Sequence, residues 1–315
     1  MHFLTDEEIQ EAYRIHHAIE DVKVILDDYR NGRLVEANRI VLPASDHSSM
    51  LYMPCISTEQ KVSIIKTVSI FPENADLPTT QGNILVKDLN DGKHIASLEA
   101  SYLTRLRTGA MTAIATDKLA RKDAGVLGVI GTGRMAFEQV LGVLEVRDIR
   151  KIVLFNRTQN KAETFKKDLQ DFGVEIDMKI ADDVNRLVEE SDIVNCATQS
   201  KTPVFDGDAL KEGTHINGVG SFTPEMIEMD LETIKKARQI YLDDMDGAKE
   251  EAGEIIKAVE EGIISWEDID GSLADISSSD FLRKSDEEIT LYKCVGADYF
   301  DLAVANGVMR VKNLK

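Results

Sequence analysis

Cysteine, proline and tryptophan are scarce in this chain of 315 residues, with three, six and one copies respectively. Cys55, Cys196 and Cys294 lie far apart and form no C-x-x-C pair, which excludes a disulfide framework and a cysteine zinc site. The histidines show no ligand spacing either, so no metal is expected. No apolar run approaches the roughly 18 residues of a membrane span. The opening "MHFLTDEEIQ" lacks the apolar core of a secretory signal, so a cytoplasmic protein is expected. Basic residues are outnumbered, 37 Lys and Arg against 56 Asp and Glu, for a net charge of −19. That balance speaks against nucleic acid, whose phosphates demand a concentrated basic surface. Repeats, low-complexity tracts and Pro- or Gly-rich linkers are missing too.

What is present is ordinary globular composition, 43% hydrophobic and 30% charged, over a length that suits two domains. The texture changes near residue 124. Before it come a helical opening (residues 6 to 29), short strand-like runs, and a helical segment over about 97–121. After it, short β-rich runs alternate with amphipathic helices: "VLGVI", "KIVLFN", "VEIDMKI", "DIVNCAT", "THINGV" and "QIYLDD". Alternation of this kind predicts βαβ units and a parallel sheet. The end of the chain holds one strand-like run, "EITLYKCVG", and one helical run, "ADYFDLAVANGVM", whose placement pattern alone leaves open.

"GVLGVIGTGRMAFEQV" runs a buried strand directly into Gly131-Thr132-Gly133-Arg134-Met135-Ala136 and then a helix. This is the G-x-G-x-x-A form of the dinucleotide fingerprint. Its first glycine permits the tight turn, its second lets backbone approach the pyrophosphate, and the small third residue lets helix pack on strand. The helix N-terminus offers free N–H groups to the phosphates. At the end of the next strand an NAD enzyme usually carries an acid for the ribose 2′-OH. Here the stretch is "VLFNRT": Asn156 would not repel a 2′-phosphate, Arg157 can pair with one, and Thr158 adds a hydroxyl. NADP(H) is therefore favoured, with NAD(H) as the alternative.

In the first part, "KVSIIKTVSIF" places Val62, Ile64, Val68 and Ile70 at every second position, the apolar face of a strand, and puts Lys66 on that same face. An unpaired buried ammonium is strongly penalised, so the lysine calls for a function. Arg39 precedes another apolar run, and Arg105 and Arg107 stand near the start of the helix "LTRLRTGAMTAIATDKLA".

These stretches, with "MPCI", "KTVSIFPEN", "LPTTQG", "ADDVNRLVEESDIVNCAT", "GTHINGVGSFTPEMIEMD" and "EITLYKCVGADYFDLAVA", occur in the order of one family. Over nearly its whole length the chain resembles the ornithine cyclodeaminase/mu-crystallin family, which includes archaeal-type alanine dehydrogenases and cyclic ketimine reductases. The resemblance implies an α/β protein with a Rossmann dinucleotide-binding domain (119–295) and an α+β substrate-binding and dimerisation domain (1–118 with 296–315), joined sheet to sheet in a homodimer. It implies that Arg39 and Arg107 hold a substrate α-carboxylate, that Lys66 faces the reacting carbon, and that Met53 lines the same pocket. It also places Thr80, Gln81, Thr108, Ala197, Thr198, Val219, Gly220, Lys293 and Gly296 around the cofactor. Of the acidic residues after the sixth strand-like run, Asp243, Asp244, Glu250, Glu251 and Glu254, a solvated face is expected, with Asp243 near the cleft.

Two departures from cyclodeaminase members bear on the reaction. Those members carry an aspartate in a "VGGD" context, where this chain reads "VGSFTPE" with Phe222 at that place. They also carry a glutamate on the strand before the lysine strand, which here reads "MLYMP". Expected is an NADP(H)-dependent oxidoreductase acting on the C–N bond of a small α-imino or α-amino acid, with a cyclic imine such as Δ1-pyrroline-2-carboxylate as a candidate substrate. The alternatives are a cyclodeaminase-like lyase with bound NAD and a non-enzymatic NADPH-gated binding protein.

Overall fold

The computed structural model describes residues 1–37 and 39–314. The chain divides into two compact units, Met1–Arg107 with Ala297–Lys315, and Thr108–Gly296. The first division therefore falls inside a helix, about a dozen residues before the expected boundary.

In the first unit the strands are β1 (His2–Leu4), β2 (Leu34–Glu36), β3 (Ile40–Pro43), β4 (Ser49–Ser57), β5 (Val62–Ile70), β6 (Thr80–Asp88) and β7 (His94–Glu99). They form a seven-stranded sheet in the order β1-β7-β6-β5-β4-β2, with β3 also on β4. Only the β1 and β7 pair is parallel. Along β5, residues 62, 64 and 66 are buried while 63 and 65 are half-buried, as a period of two requires. Helix α1 (Asp6–Ala12) starts on a capping box, with Thr5 accepting from Glu8 N and Glu8 accepting from Thr5 N. Helix α2 (Ile15–Arg30) buries Ile15, Ala18, Ile19, Val22, Ile25 and Leu26, one stripe at helical spacing. The C-terminal helix (Asp298–Val311) packs on α2, β4 and β5. It is tied at its end by the Arg310–Asp21 ion pair at 2.8 Å.

Helix α3 (Ser101–Leu119) carries the chain from the first unit into the second. The second unit then alternates: β8 (Val126–Ile130), α4 (Arg134–Leu144), β9 (Lys151–Phe155), α5 (Gln159–Phe172), β10 (Asp177–Ile180), α6 (Val184–Glu190), β11 (Ile193–Cys196) and β12 (His215–Gly218). There follow α7 (Leu231–Lys236), β13 (Ala237–Leu242), α8 (Met245–Glu251), α9 (Gly253–Glu260), β14 (Gly271–Ser272), α10 (Leu273–Ser277) and β15 (Ile289–Lys293). All eight strands are parallel, in the order β10-β9-β8-β11-β12-β15-β13-β14. The order reverses beside β8, the switch point at which open α/β sheets bind ligands. The strand "EITLYKCVG" thus completes the second unit between β12 and β13, while the helix after it returns to the first.

A buried polar chain runs beneath this sheet. Asn217 donates to Asn195 and to Thr116, and His215 bonds Asn217 and Thr290. Burial pushes the His215 pKa down to about 3, so the ring is a neutral core group. Among the described residues no helix is long and apolar enough to cross a membrane, and no group of His, Cys, Asp and Glu has metal-site geometry.

Candidate active site

The first unit gathers its cations around one carboxylate. Lys66 is 4% exposed, and its Nζ donates to Asp301 Oδ1 at 2.8 Å and to Thr104 Oγ1 at 2.9 Å. Arg107 Nε stands 3.7 Å from the same Asp301 oxygen. Met53 is the cross-strand partner of Lys66 on β4 and is buried beside it. Burial is the largest influence on Lys66 and lowers its pKa; Asp301 opposes this, and the charges of Arg107 and Arg39 reinforce it. Arg39, half-buried just before β3, is therefore close enough to act electrostatically on Lys66.

Asp301 was not visible to sequence reasoning, because its partner is 235 residues away. A carboxylate of the C-terminal helix thus compensates the charge of the lysine. The only signal was an aspartate pair, Asp298 and Asp301, on the apolar helix "ADYFDLAVANGVM". Asp298 is buried close to Glu36 and Asp301. Burial and those two carboxylates push its pKa up to about 7. Thr80 and Gln81 are exposed and open β6, so they belong to the strand from its first residue.

The second unit builds an open turn after β8. Gly131 turns at φ +91°, and its N–H donates to Phe155 O at 2.9 Å. A Cβ there would lie 2.7 Å from Ala197 O, so the turn requires glycine. Gly133, the N-cap of α4, has open space where a side chain would be. Arg134 and Met135 begin the helix, and Arg134 is exposed. Beyond β9, Asn156 Nδ2 donates to Thr132 Oγ1 at 2.8 Å and its Oδ1 accepts from Thr158 N at 3.1 Å. Asn156 thus braces the turn from the side, and Arg157 is left exposed next to it. An open glycine at a helix N-terminus and a first glycine in the left-handed region together fit a dinucleotide. Thr108, on the second unit's part of α3, is buried.

The loops after β11 and β12 are braced by groups that no sequence pattern exposes. Glu228 is wholly buried, and its carboxylate accepts from Thr198 N (2.6 Å), Thr198 Oγ1 (2.9 Å), Gly220 N (2.8 Å) and Ser221 N (3.1 Å). Lys293, expected beside the cofactor, is 0% exposed; its Nζ donates to the carbonyl and hydroxyl of Ser221 and lies 3.4 Å from Glu254. Its ammonium thus holds Ser221, the residue that follows the Val219–Gly220 pair. Asp243 is buried and accepts from Val295 N and Gly296 N, which fixes the turn at Gly296. The expectation of a solvated acidic face is corrected at Asp243 and Glu254, both of which are buried braces, whereas Glu250 is exposed. Cys55, Cys196 and Cys294 are buried and form no disulfide among the described residues.

Comparison with known proteins shows the family and the fold. Residues 1–312 match the model of the ornithine cyclodeaminase/mu-crystallin family. A Δ1-pyrroline-2-carboxylate reductase of Bacillus cereus is 35% identical over 303 residues, 95% of this chain and 92% of that protein. The structure of Thermococcus litoralis Δ1-pyrroline-2-carboxylate reductase in complex with NADH and L-proline superposes with a TM-score of 0.93 at 31% identity, covering 99% of this chain and 98% of that one. An archaeal alanine dehydrogenase dimer with bound NAD has a TM-score of 0.91 at 30% identity, covering 99% and 96%. On the family match over almost its full length, the chain belongs to the ornithine cyclodeaminase/mu-crystallin family.

Proposed function

We propose that this protein is a nicotinamide-dependent oxidoreductase that reduces the C=N bond of a small cyclic α-imino acid of the Δ1-pyrroline-2-carboxylate type, with NADPH as the favoured donor. The observation that carries the reading is the buried Lys66 ammonium held between Asp301 and Thr104 with Arg107 beside it. Reductases and dehydrogenases of C–N substrates among its relatives support the same class.

The reaction needs a hydride at the imine carbon, a proton at the imine nitrogen and a grip on the carboxylate. The nicotinamide, when bound, supplies the hydride. Arg39 and Arg107 hold the carboxylate, Arg107 through the planar fork that suits two oxygens. Lys66 gives an Nζ proton to the nitrogen, becomes a neutral amine, and is recharged from solvent. Burial and the two arginines lower its pKa toward the working range of a proton donor, and Asp301 keeps it charged between turnovers. Met53 fills the apolar side of the pocket.

The choice of NADPH rests on Asn156 and Arg157, where an acid for a free 2′-OH is missing. The Thermococcus litoralis reductase structure holds NADH and the archaeal alanine dehydrogenase structure holds NAD. A direct test is therefore a comparison of KM for NADPH and NADH in the parent and in Arg157→Ala. The substitution is expected to raise KM for NADPH about tenfold, the weight of one charge-assisted phosphate contact, and to leave that for NADH unchanged. Equal effects on both would remove the 2′-phosphate role.

Cyclodeamination is disfavoured by the residues at two positions of the chain. The strand opposite Lys66 presents Met53, and Phe222 follows Ser221 where a carboxylate would be needed to take a proton from a distal amine. The reaction class is tested by following NADPH and NADH oxidation with cyclic and acyclic imino acids while assaying ornithine for proline and ammonia. Proline formed from ornithine without net cofactor change would overturn the reductase reading. Tight NADPH binding with no turnover of any imine would favour a binding protein.

We further propose that a second copy of the chain covers the outer edge of the first unit's sheet. Ile40, Val41 and Leu42 of β3 are each about half exposed, an apolar run on an edge strand that a lone chain would leave open to pairing.

A further inference from the structure

The loops after β11 and β12 touch backbone to backbone. A Cβ on Gly220 would fall 2.1 Å from Thr198 N and 2.3 Å from Thr198 O. On its other side, the Ala197–Thr198 peptide lies against Gly131 of the phosphate turn, where an added Cβ would be 2.7 Å from both Ala197 O and Thr198 Cγ2. Three loops at the C-terminal ends of β8, β11 and β12 are thus stacked at van der Waals distance, with glycine at the two contacts. Glycine permits such an approach but cannot maintain it, having no side chain to hold its neighbour.

Glu228 supplies what glycine lacks. Its four bonds go to donors only, three backbone N–H groups and one hydroxyl, split between Thr198 on one loop and Gly220 and Ser221 on the other. An ionised carboxylate is an acceptor with about four lone-pair sites, and it matches four donors. A carboxamide has one oxygen and would turn its own N–H groups against backbone N–H groups. Behind the second loop, Ser221 Oγ is 3.0 Å from both Glu254 oxygens and 2.6 Å from Lys293 Nζ, so the serine is held from three directions.

We propose that Glu228 is a positioning residue for the nicotinamide end of the cofactor: it sets the spacing of the Thr198 and Gly220 loops, with Lys293 and Glu254 locking Ser221 from behind. The inference rests on the reading of these loops as the nicotinamide half of the site. The adenosine end is assigned to Gly131–Met135 and Asn156–Thr158, and Glu228 bonds none of these residues.

The separation gives the test. Affinities for NADPH and for 2′-phospho-ADP-ribose, the same molecule without nicotinamide, are measured by calorimetry on the full chain, with kcat for imine reduction. Glu228→Gln is expected to weaken NADPH binding about tenfold or more and to lower kcat, as lost buried hydrogen bonds would, while affinity for the fragment stays within about twofold. A parallel loss for both ligands would reduce Glu228 to a structural role, and no loss for either would remove the role altogether. If Glu228→Gln does not fold, Ser221→Ala reads the other side of the clamp: a smaller loss confined to NADPH supports it, and unchanged NADPH binding and kcat overturn it. A parent protein that bound neither ligand would instead overturn the reading of the site itself.

Discussion

Lys66 sits on a strand face made otherwise of Val62, Ile64, Val68 and Ile70, and its charge survives there because Asp301 and Thr104 accept its hydrogen bonds. Removing one partner of a buried pair leaves an uncompensated charge, so Asp301→Asn is expected to cost about 3–5 kcal/mol in denaturant unfolding. The same change takes away the influence that raises the Lys66 pKa. If the ammonium is the proton donor, activity falls as pH rises through that pKa, and in Asp301→Asn the basic limb of kcat/KM should move to lower pH. A limb that stays in place would disconnect Lys66 from the pH profile. Lys66→Met should lower kcat by about 10²–10⁴, the range for a positioned acid. Full activity in that variant would remove the lysine from the chemistry. Asp298 offers a test of stability alone. Its folded pKa of about 7 exceeds the ordinary 3.8, so its contribution is fully present below about pH 4 and is lost as pH rises through 7. Asp298→Asn should therefore raise Tm most at pH 8, less at pH 5 and little at pH 3, and the displacement of that pKa sets an upper bound of about 4 kcal/mol.

At the scale of elements, glycine decides two junctions for different reasons. Helices α3 and α4 cross where Gly109 and Gly142 meet: a Cβ on Gly142 would lie 2.3 Å from Gly109 O, and one on Gly109 the same distance from Glu138 O. Gly142→Ala presses a methyl group on backbone that cannot swing away, and a loss of about 1–3 kcal/mol in unfolding free energy is expected. Gly133 is the contrast, with an extended backbone and nothing near its missing Cβ. Gly133→Ala should keep the parent Tm yet lower NADPH affinity at least about tenfold, because the methyl would occupy the approach of the pyrophosphate. Unimpaired binding would displace the phosphate site from this turn. The strand–turn–helix of the fingerprint was legible because its chemistry is local: its glycines and its apolar run sit together in the single stretch "GVLGVIGTGRMAFEQV". Glu228, Asp243 and Glu254 were illegible for the opposite reason. Each looks like a surface acid in sequence, and only the folded loops supply the backbone N–H groups and the ammonium that they satisfy.

For the whole molecule, the apolar edge at Ile40–Leu42 and the net charge of −19 act in opposite directions on association. Val41→Lys, which places a charge on the edge strand, should convert a dimer to monomers in sedimentation velocity at micromolar concentration. A monomeric parent, or a variant that remains dimeric, would move the interface elsewhere. The division of the chain was legible in outline from the change of texture near residue 124, yet the first unit ends at Arg107. A continuous helix hides that boundary, since the hydrogen-bond ladder of α3 runs through it without a break in pattern.

The sequence by itself determined the parallel sheet, the dinucleotide turn, the family and the oddity of Lys66, because each rests on short-range periodicity or on ordered local motifs. Only the tertiary structure decided that Asp301 answers Lys66, that Lys293 is a buried brace and that one carboxylate, Glu228, joins two loops. Those pairings are contacts between residues far apart in the chain, and a charge in sequence carries no record of which distant partner removes the penalty of burying it.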